Sequence, residues 1–155
     1  MKSKKTLQYA ELIEMSEQYV RENRIQASGP DKVARFMRPL LQGKLQEEFW
    51  MLSLNNKHEV IAHHMTSMGT ADATPVHPRD IFRHACMDNA RSIVVVHNHP
   101  SGSIYPSGAD RVATEKLKQA GEILGIQLMD HIIIGDITES NASGYFSFKE
   151  SEWIQ

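Results

Sequence analysis

The chain has 155 residues, with 17 Lys+Arg against 19 Asp+Glu, a net charge of −2 with its eight His neutral, 41% hydrophobic and 23% charged residues. These are ordinary globular proportions: they exclude collagen-like and disordered classes, suit one domain with a sizeable core, and give no general pull toward nucleic acid. No apolar run reaches the ~18 residues of a membrane span, no apolar h-region follows the basic start from Met1 to Thr6, and the single cysteine, Cys86, excludes a disulfide scaffold and a Cys-rich zinc site within the chain, so that a reducing, cytoplasmic setting is expected.

Charge is uneven along the chain. Residues 1–44 hold nine Lys+Arg and five Asp+Glu, net +4; residues 45–155 hold eight and fourteen, net −6. The first part is expected to be an N-terminal helical extension over 1–44, ahead of a main domain over 45–155. Leu7, Ala10, Ile13, Tyr19 and Val20 recur near a spacing of 3.6, with Glu and Gln between them. Ser28-Gly29-Pro30 breaks the chain. Val33, Ala34, Met37 and Leu41 predict a second amphipathic helix up to Gly43, with Pro39 kinking it or ending it early.

From Leu45 the pattern changes. Glu47 to Leu54 is short and aromatic-rich, Asn55-Asn56-Lys57 is a turn, and Val60-Ile61-Ala62 starts a second run, which together predict a β-hairpin. Gly69 and Thr70 fall in the loop beyond it. His77-Pro78-Arg79 opens a helix through Ile81, Phe82, Ala85 and Ala90. Ile93-Val94-Val95-Val96 is β-branched without alternation, the pattern of a strand covered on both faces. A Pro/Gly/Ser loop leads to a helix from Ala109 to Leu124, ended near Gly125. Ile126 to Ile134 is another apolar strand, stopped at Gly135. A polar loop over 136–144 precedes a closing strand at Tyr145 to Phe148. The order β-β-α-β-α-β-β predicts a sheet with helices packed on it, an α/β (α+β) domain.

The segment that carries chemistry is His97-Asn98-His99-Pro100-Ser101-Gly102, with Asp110 eight residues further on. Strand alternation puts the two imidazoles on one face. Two imidazoles make half of a tetrahedral metal site, and Asp110, beyond a loop that can fold back, can supply a third ligand and leave one position open. A cation held this way lowers the pKa of a bound water from about 15.7 to about 7. Each part also has a plainer reading. An isolated His-x-His is more often a pair of surface or hydrogen-bonded residues. Ser107-Gly108-Ala109-Asp110 fits a capping box, a role compatible with ligation. Gly102 and Pro106 suit turns. The plain reading of the whole set requires every feature to coincide, and ranks lower.

His97-x-His99, seven residues, Ser107, two residues and Asp110 resemble the metal-site spacing of the JAMM/JAB/MPN metalloproteases. The longer string His97-Asn98-His99-Pro100-Ser101-Gly102 with Pro106-Ser107 and Asp110 is similar to the RadC-like branch. So are Glu47-x-Phe49, Gly69-Thr70, His77-Pro78-Arg79, Asp130-His131 with Ile132-Ile133-Ile134-Gly135, and Ser147-Phe148. The resemblance implies a JAB/MPN-like, cytidine-deaminase-like mixed β-sheet flanked by helices. It implies one Zn2+ per chain held by His97, His99 and Asp110, with Glu47 as general acid/base and Ser107 donating to the oxyanion. The implied reaction is hydrolysis of a peptide or isopeptide bond. Strand alternation turns Glu47 and Glu48 to opposite faces, and only the family's Glu-x-Phe pattern selects Glu47; Glu48 reads as a solvated edge. Iron, cobalt or nickel can occupy similar donor sets.

Other candidates weigh less. His131, in what reads as a strand-end Asp-His pair, either orients a ligand or is structural, and stays outside the catalytic set. Arg79 reads as a solvated first-turn residue. His63 and His64 read as surface residues on opposite faces, and Cys86 as a small core residue. Asn98 is expected to face away from the metal, and the methionines to fill the core. A zinc deaminase needs a Pro-Cys-x-x-Cys that one cysteine excludes. His-Glu-x-x-His, a P-loop and a Gly-x-Ser-x-Gly elbow are absent. The alternatives to a hydrolase are a DNA-associated accessory factor, which the family name suggests and the +4 N-terminal part would serve, and a metal-binding module without turnover. Residues 1–44 show no helix-hairpin-helix signature. The expected partner is a peptide or protein substrate, with no membrane and with oligomeric state open.

Overall fold

A computed structural model describes residues 22–69 and 76–155, together with residues 11, 14, 15 and 18. The expected helix carried by Leu7, Ala10, Ile13, Tyr19 and Val20 rests on residues outside that set, as does Thr70.

Helix α1 (Pro30–Leu41) starts on Pro30, carries Asp31 in its first turn and Arg38 in its last, and buries Val33, Ala34, Met37 and Leu41. Pro39 lies inside it without ending it. So near the C-terminus, it removes one hydrogen bond and leaves the preceding turns intact. Strands β1 (Glu48–Leu54) and β2 (Val60–Met68) form the expected hairpin. The Asn55 side chain accepts the N–H groups of Lys57 and Glu59 and so holds its turn. Helix α2 (Pro78–Met87) opens with His77 at the N-cap position and Pro78 in the first turn. It is followed by β3 (Ser92–Asn98), α3 (Gly108–Leu124), β4 (Gln127–Ile134) and β5 (Tyr145–Ser147).

The strands join in one mixed sheet of order β2-β1-β3-β4-β5, with β3 and β4 parallel and the other pairs antiparallel. The β3-α3-β4 unit is the crossover that a parallel pair requires. One face, with Met51, Ile93, Val95 and Ile133, packs on Ile81, Phe82 and Ala85 of α2 and Leu117 of α3. The other face, with Leu52, Val94, Val96, Ile132 and Ile134, is covered by Val33, Ala34, Met37 and Leu41 of α1. Every residue of β3 is therefore buried, as its unbroken β-branched run predicts. The Arg38 guanidinium donates to the carbonyls of Gly135, Ser143 and Gly144, which ties α1 to the polar loop after β4. Among the described residues no helix is long and apolar enough to cross a membrane.

Candidate metal centre

The centre forms where β3 ends and α3 begins. His97 is the penultimate residue of β3, opposite Phe49 of β1 and beside Ile133 of β4. His99 stands just past the strand, its N–H donating to Ile134 O at 3.1 Å. The chain then turns sharply. Gly102 N–H donates to His99 O at 2.9 Å, with Gly102 at φ +82°, a region that favours glycine. Gly135 permits the loop to dock on the end of β4, since a Cβ there would lie 2.4 Å from Gly102 O. The returning chain enters α3 through a complete capping box. Ser107 Oγ accepts Asp110 N–H at 3.1 Å, and Ser107 N–H donates to Asp110 Oδ2 at 2.8 Å. Replacing Ser107 with Ala removes one of these bonds. The expected loss is about 0.5–2 kcal/mol of stability, read as a lowered urea midpoint.

Asp110 is thereby aimed at both imidazoles. His97 Nε2 lies 3.2 Å from Oδ1, His99 Nε2 lies 3.2 Å from Oδ2, and the two Nε2 atoms are 3.1 Å apart. A tetrahedral cation with nitrogen and oxygen ligands at about 2.0–2.1 Å needs its donors about 3.3–3.4 Å from one another. The triangle of two imidazole nitrogens and the carboxylate comes within a few tenths of an ångström of that at its nearest atoms, with one carboxylate oxygen facing each imidazole, and its donor set is the borderline type that suits zinc. The three side chains are the one group of this kind among the described residues.

Electrostatics agree with this geometry. Burial works against the Asp110 carboxylate, but hydrogen bonds from His97 and His99 hold its pKa far below the ordinary 3.8. Burial likewise opposes a charge on His99, yet the bond and charge of Asp110, with a further contribution from Glu47, raise its pKa above 6.5. His131 is driven well below 6.5 by burial and by His97, so it is neutral. Phe49 stacks on His97 with centroids 5.5 Å apart and rings 14° from parallel, and Phe148 stacks on His131 at 4.7 Å and 8°. Between them the phenyl rings hold both imidazoles in place.

Glu47 precedes β1, and the β1–β3 register carries it to the level of His99. By alternation it shares the face of Phe49 and His97. It is half-buried, and its carbonyl accepts Gly69 N–H at 2.6 Å. Glu48 turns to the other face but is not a solvated edge: it is 5% exposed, accepts Trp50 Nε1–H at 3.0 Å and pairs with Lys44 at 3.4 Å. The Trp50 indole N–H and the Lys44 ammonium take the place of water as partners of its two carboxylate oxygens.

The remaining candidates divide. Arg79 is exposed, as expected. Asn98 faces away from the triangle. Its side chain accepts Glu48 N–H at 2.7 Å and donates to Gln46 O at 3.0 Å, gripping the backbone on both sides of Glu47. His63 and His64 do point to opposite faces, but His64 is half-buried on Asp88 at 2.8 Å and stacks on His84. Cys86 is exposed, because Ile81, Phe82 and Ala85 fill the buried face of α2. Met65, Met68 and Met87 are exposed too, whereas Met37 and Met51 fill the core. Asp130 and His131 lie within β4 rather than at its end, and His131 Nε2 reaches His97 Nδ1 at 2.8 Å. Thr114, unremarked in the sequence, meets His131 Nδ1 at 2.6 Å. The available signal was its place one helical turn beyond Asp110.

A mixed sheet that ends a central strand in His-x-His, facing the carboxylate of a capped helix start, defines a JAB/MPN-like domain. The chain belongs to the RadC-like JAB domain family, whose sequence model matches residues 27–153, a span that includes α1. Over 126 residues it is 47% identical to a UPF0758 protein of Staphylococcus aureus (strain bovine RF122 / ET3-1), the match covering 80% of this chain and 55% of that protein. A UPF0758 protein of S. aureus strain NCTC 8325 / PS 47 is also 47% identical over 126 residues, covering 80% and 58%. A UPF0758 protein of Methanosarcina mazei is 37% identical over 145 residues, covering 94% and 61%. The chain thus spans less than two thirds of the length of these relatives.

Proposed function

We propose that this domain is a zinc-dependent hydrolase of the JAMM type, acting on a peptide or isopeptide bond of a protein substrate in the cytoplasm. The observation that carries the reading is the convergence of His97 Nε2, His99 Nε2 and the Asp110 carboxylate within 3.2 Å of one another, with Glu47 at the level of His99. These three side chains would hold the ion, and zinc so held supplies Lewis acidity toward water and carbonyl oxygen. The Glu47 carboxylate takes the proton of the attacking water and delivers it to the departing amine. Ser107 Oγ accepts from Asp110 N–H, which leaves its own hydrogen to donate to the substrate oxygen as negative charge develops there.

Elemental analysis of the purified chain beside a His97→Ala, His99→Ala double variant tests the metal. One zinc per chain is expected in the first and none in the second. Equal content in both would end the reading. Cleavage across peptide and isopeptide libraries should vanish with a chelator and return with zinc. Stoichiometric zinc without cleavage would make the domain a binding module.

The pKa shifts set a pH dependence. With pKa raised above 6.5, His99 stabilises the metal-free fold fully below that value and loses the contribution as pH rises through its folded pKa. Asp110, lowered from 3.8, contributes above that value and loses it as pH falls through its folded pKa. Their mutual attraction is therefore complete between 3.8 and 6.5. Zinc requires the neutral imidazole, so protons compete with it across His99's titration. Saturating zinc should raise the unfolding temperature more at about pH 8 than at about pH 6; an equal or reversed increment would contradict the assignment of His99 as a ligand.

A further inference from the structure

We propose that His131 and Thr114 are positioning residues that lock His97 in the tautomer with its proton on Nδ1 and its Nε2 lone pair aimed into the triangle. The proposal rests on the metal-site reading above, and the hydrogen-bond donors and acceptors behind His97 carry it.

The chain of bonds begins at a group with a single possible role. The Asp110 carbonyl can only accept, and Thr114 Oγ1 lies 2.7 Å from it, so the one hydroxyl hydrogen of Thr114 goes there. His131 Nδ1 lies 2.6 Å from the same Oγ1, which has only lone pairs left to offer, so Nδ1 carries a hydrogen. His131 is fully buried among Phe49, Phe148 and His97, where a second ring proton would place an uncompensated charge in an apolar setting. Its Nε2 is therefore a lone pair. That lone pair lies 2.8 Å from His97 Nδ1, which must donate. With its Nδ1 hydrogen committed to His131, His97 has only Nε2, the atom that faces Asp110 and His99, to offer a cation.

His99 is oriented by a simpler route, its Nδ1 donating to Ser103 O at 2.9 Å. The difference follows from position. His99 lies beyond the strand, where a loop carbonyl is within reach. His97 lies inside the ladder between β1 and β4, where neighbouring carbonyls are engaged in strand pairing, so its orienting acceptor is a side chain from the next strand. The relay also joins two of the three donors, since it runs from the backbone of Asp110 through Thr114 and His131 to His97.

Nitrogen-detected NMR of the metal-free chain reads the tautomer directly. In the wild type, His97 should show a protonated Nδ1, and His131 a protonated Nδ1 with a bare Nε2. In Thr114→Val and His131→Phe, the His97 signals should move toward the Nε2–H form. Zinc affinity, measured by chelator competition, should fall about 10- to 100-fold in both variants, with Thr114→Ser close to wild type. An Nε2–H tautomer at His97 in the wild type would overturn the proposal. So would a folded Thr114→Val chain that keeps both the wild-type tautomer and the wild-type affinity. A wild type that binds no zinc would instead sink the hydrolase reading, while the metal-free tautomer still decides this one.

Discussion

Replacing Glu47 with Gln should lower hydrolysis by about 100- to 10,000-fold, the usual contribution of a general acid/base, or about 3–5 kcal/mol of barrier. Gln keeps the size and hydrogen-bonding reach of Glu but cannot hold the transferred proton at neutral pH. Since Glu47 is not among the three converging donors, zinc content should remain at one per chain. The control is Glu48→Gln. Glu48 lies on the opposite face, engaged by Trp50 and Lys44, and its substitution should leave turnover unchanged and cost only a small amount of stability. Kinetics of the two variants under saturating zinc separate the adjacent glutamates. Full turnover in Glu47→Gln, or loss in Glu48→Gln alone, would remove the assigned base.

The largest expected stability effect is at Phe49. The side chain is 2% exposed, stacked on His97 and edge-on to His131 at 5.4 Å. Phe49→Ala should cost about 3–5 kcal/mol, the sum of lost transfer energy and the cavity left behind. That is a large part of the ~5–15 kcal/mol that holds a typical domain together. Phe49→Leu, which fills more of the space, should cost much less. Urea unfolding reads both as midpoint shifts at constant slope. Zinc affinity should fall in Phe49→Ala even where the chain is folded, because two imidazoles lose the surface that orients them. Unaltered zinc affinity in a folded Phe49→Ala chain would show that the phenyl ring does not position them.

Much of this was legible from local pattern. The β-branched run over Ile93–Val96 announced a strand covered on both faces, and β3 is buried throughout. The Ser107–Asp110 spacing announced a capping box, and both of its bonds are present. Alternation placed His97 and His99 on one side, and their Nε2 atoms meet. The same local reasoning failed where environment outweighs residue type. Glu48 looked solvated because a glutamate beside a strand start usually is; Trp50 and Lys44 enclose it. Cys86 looked internal because small thiols usually are, but the register of α2 gives the buried positions to its neighbours.

The residues alone pointed to the order of the described elements, to the helix starts, and to the three converging side chains, since each of these depends on spacing within one segment; the end of α2 did not follow, since that helix stops at Met87 rather than running through Ala90. Tertiary structure decided that α1 covers a sheet face, that Glu48 is buried rather than solvated, and that His131 and Thr114 stand behind His97. Several of those relations link residues far apart in the chain, such as His97 with His131, 34 positions away, and Arg38 with Gly135, 97 positions away. Strand order β1-β3-β4 is what brings them together, and pairing between distant segments is written in the cooperative burial of two sheet faces rather than in any short stretch of sequence.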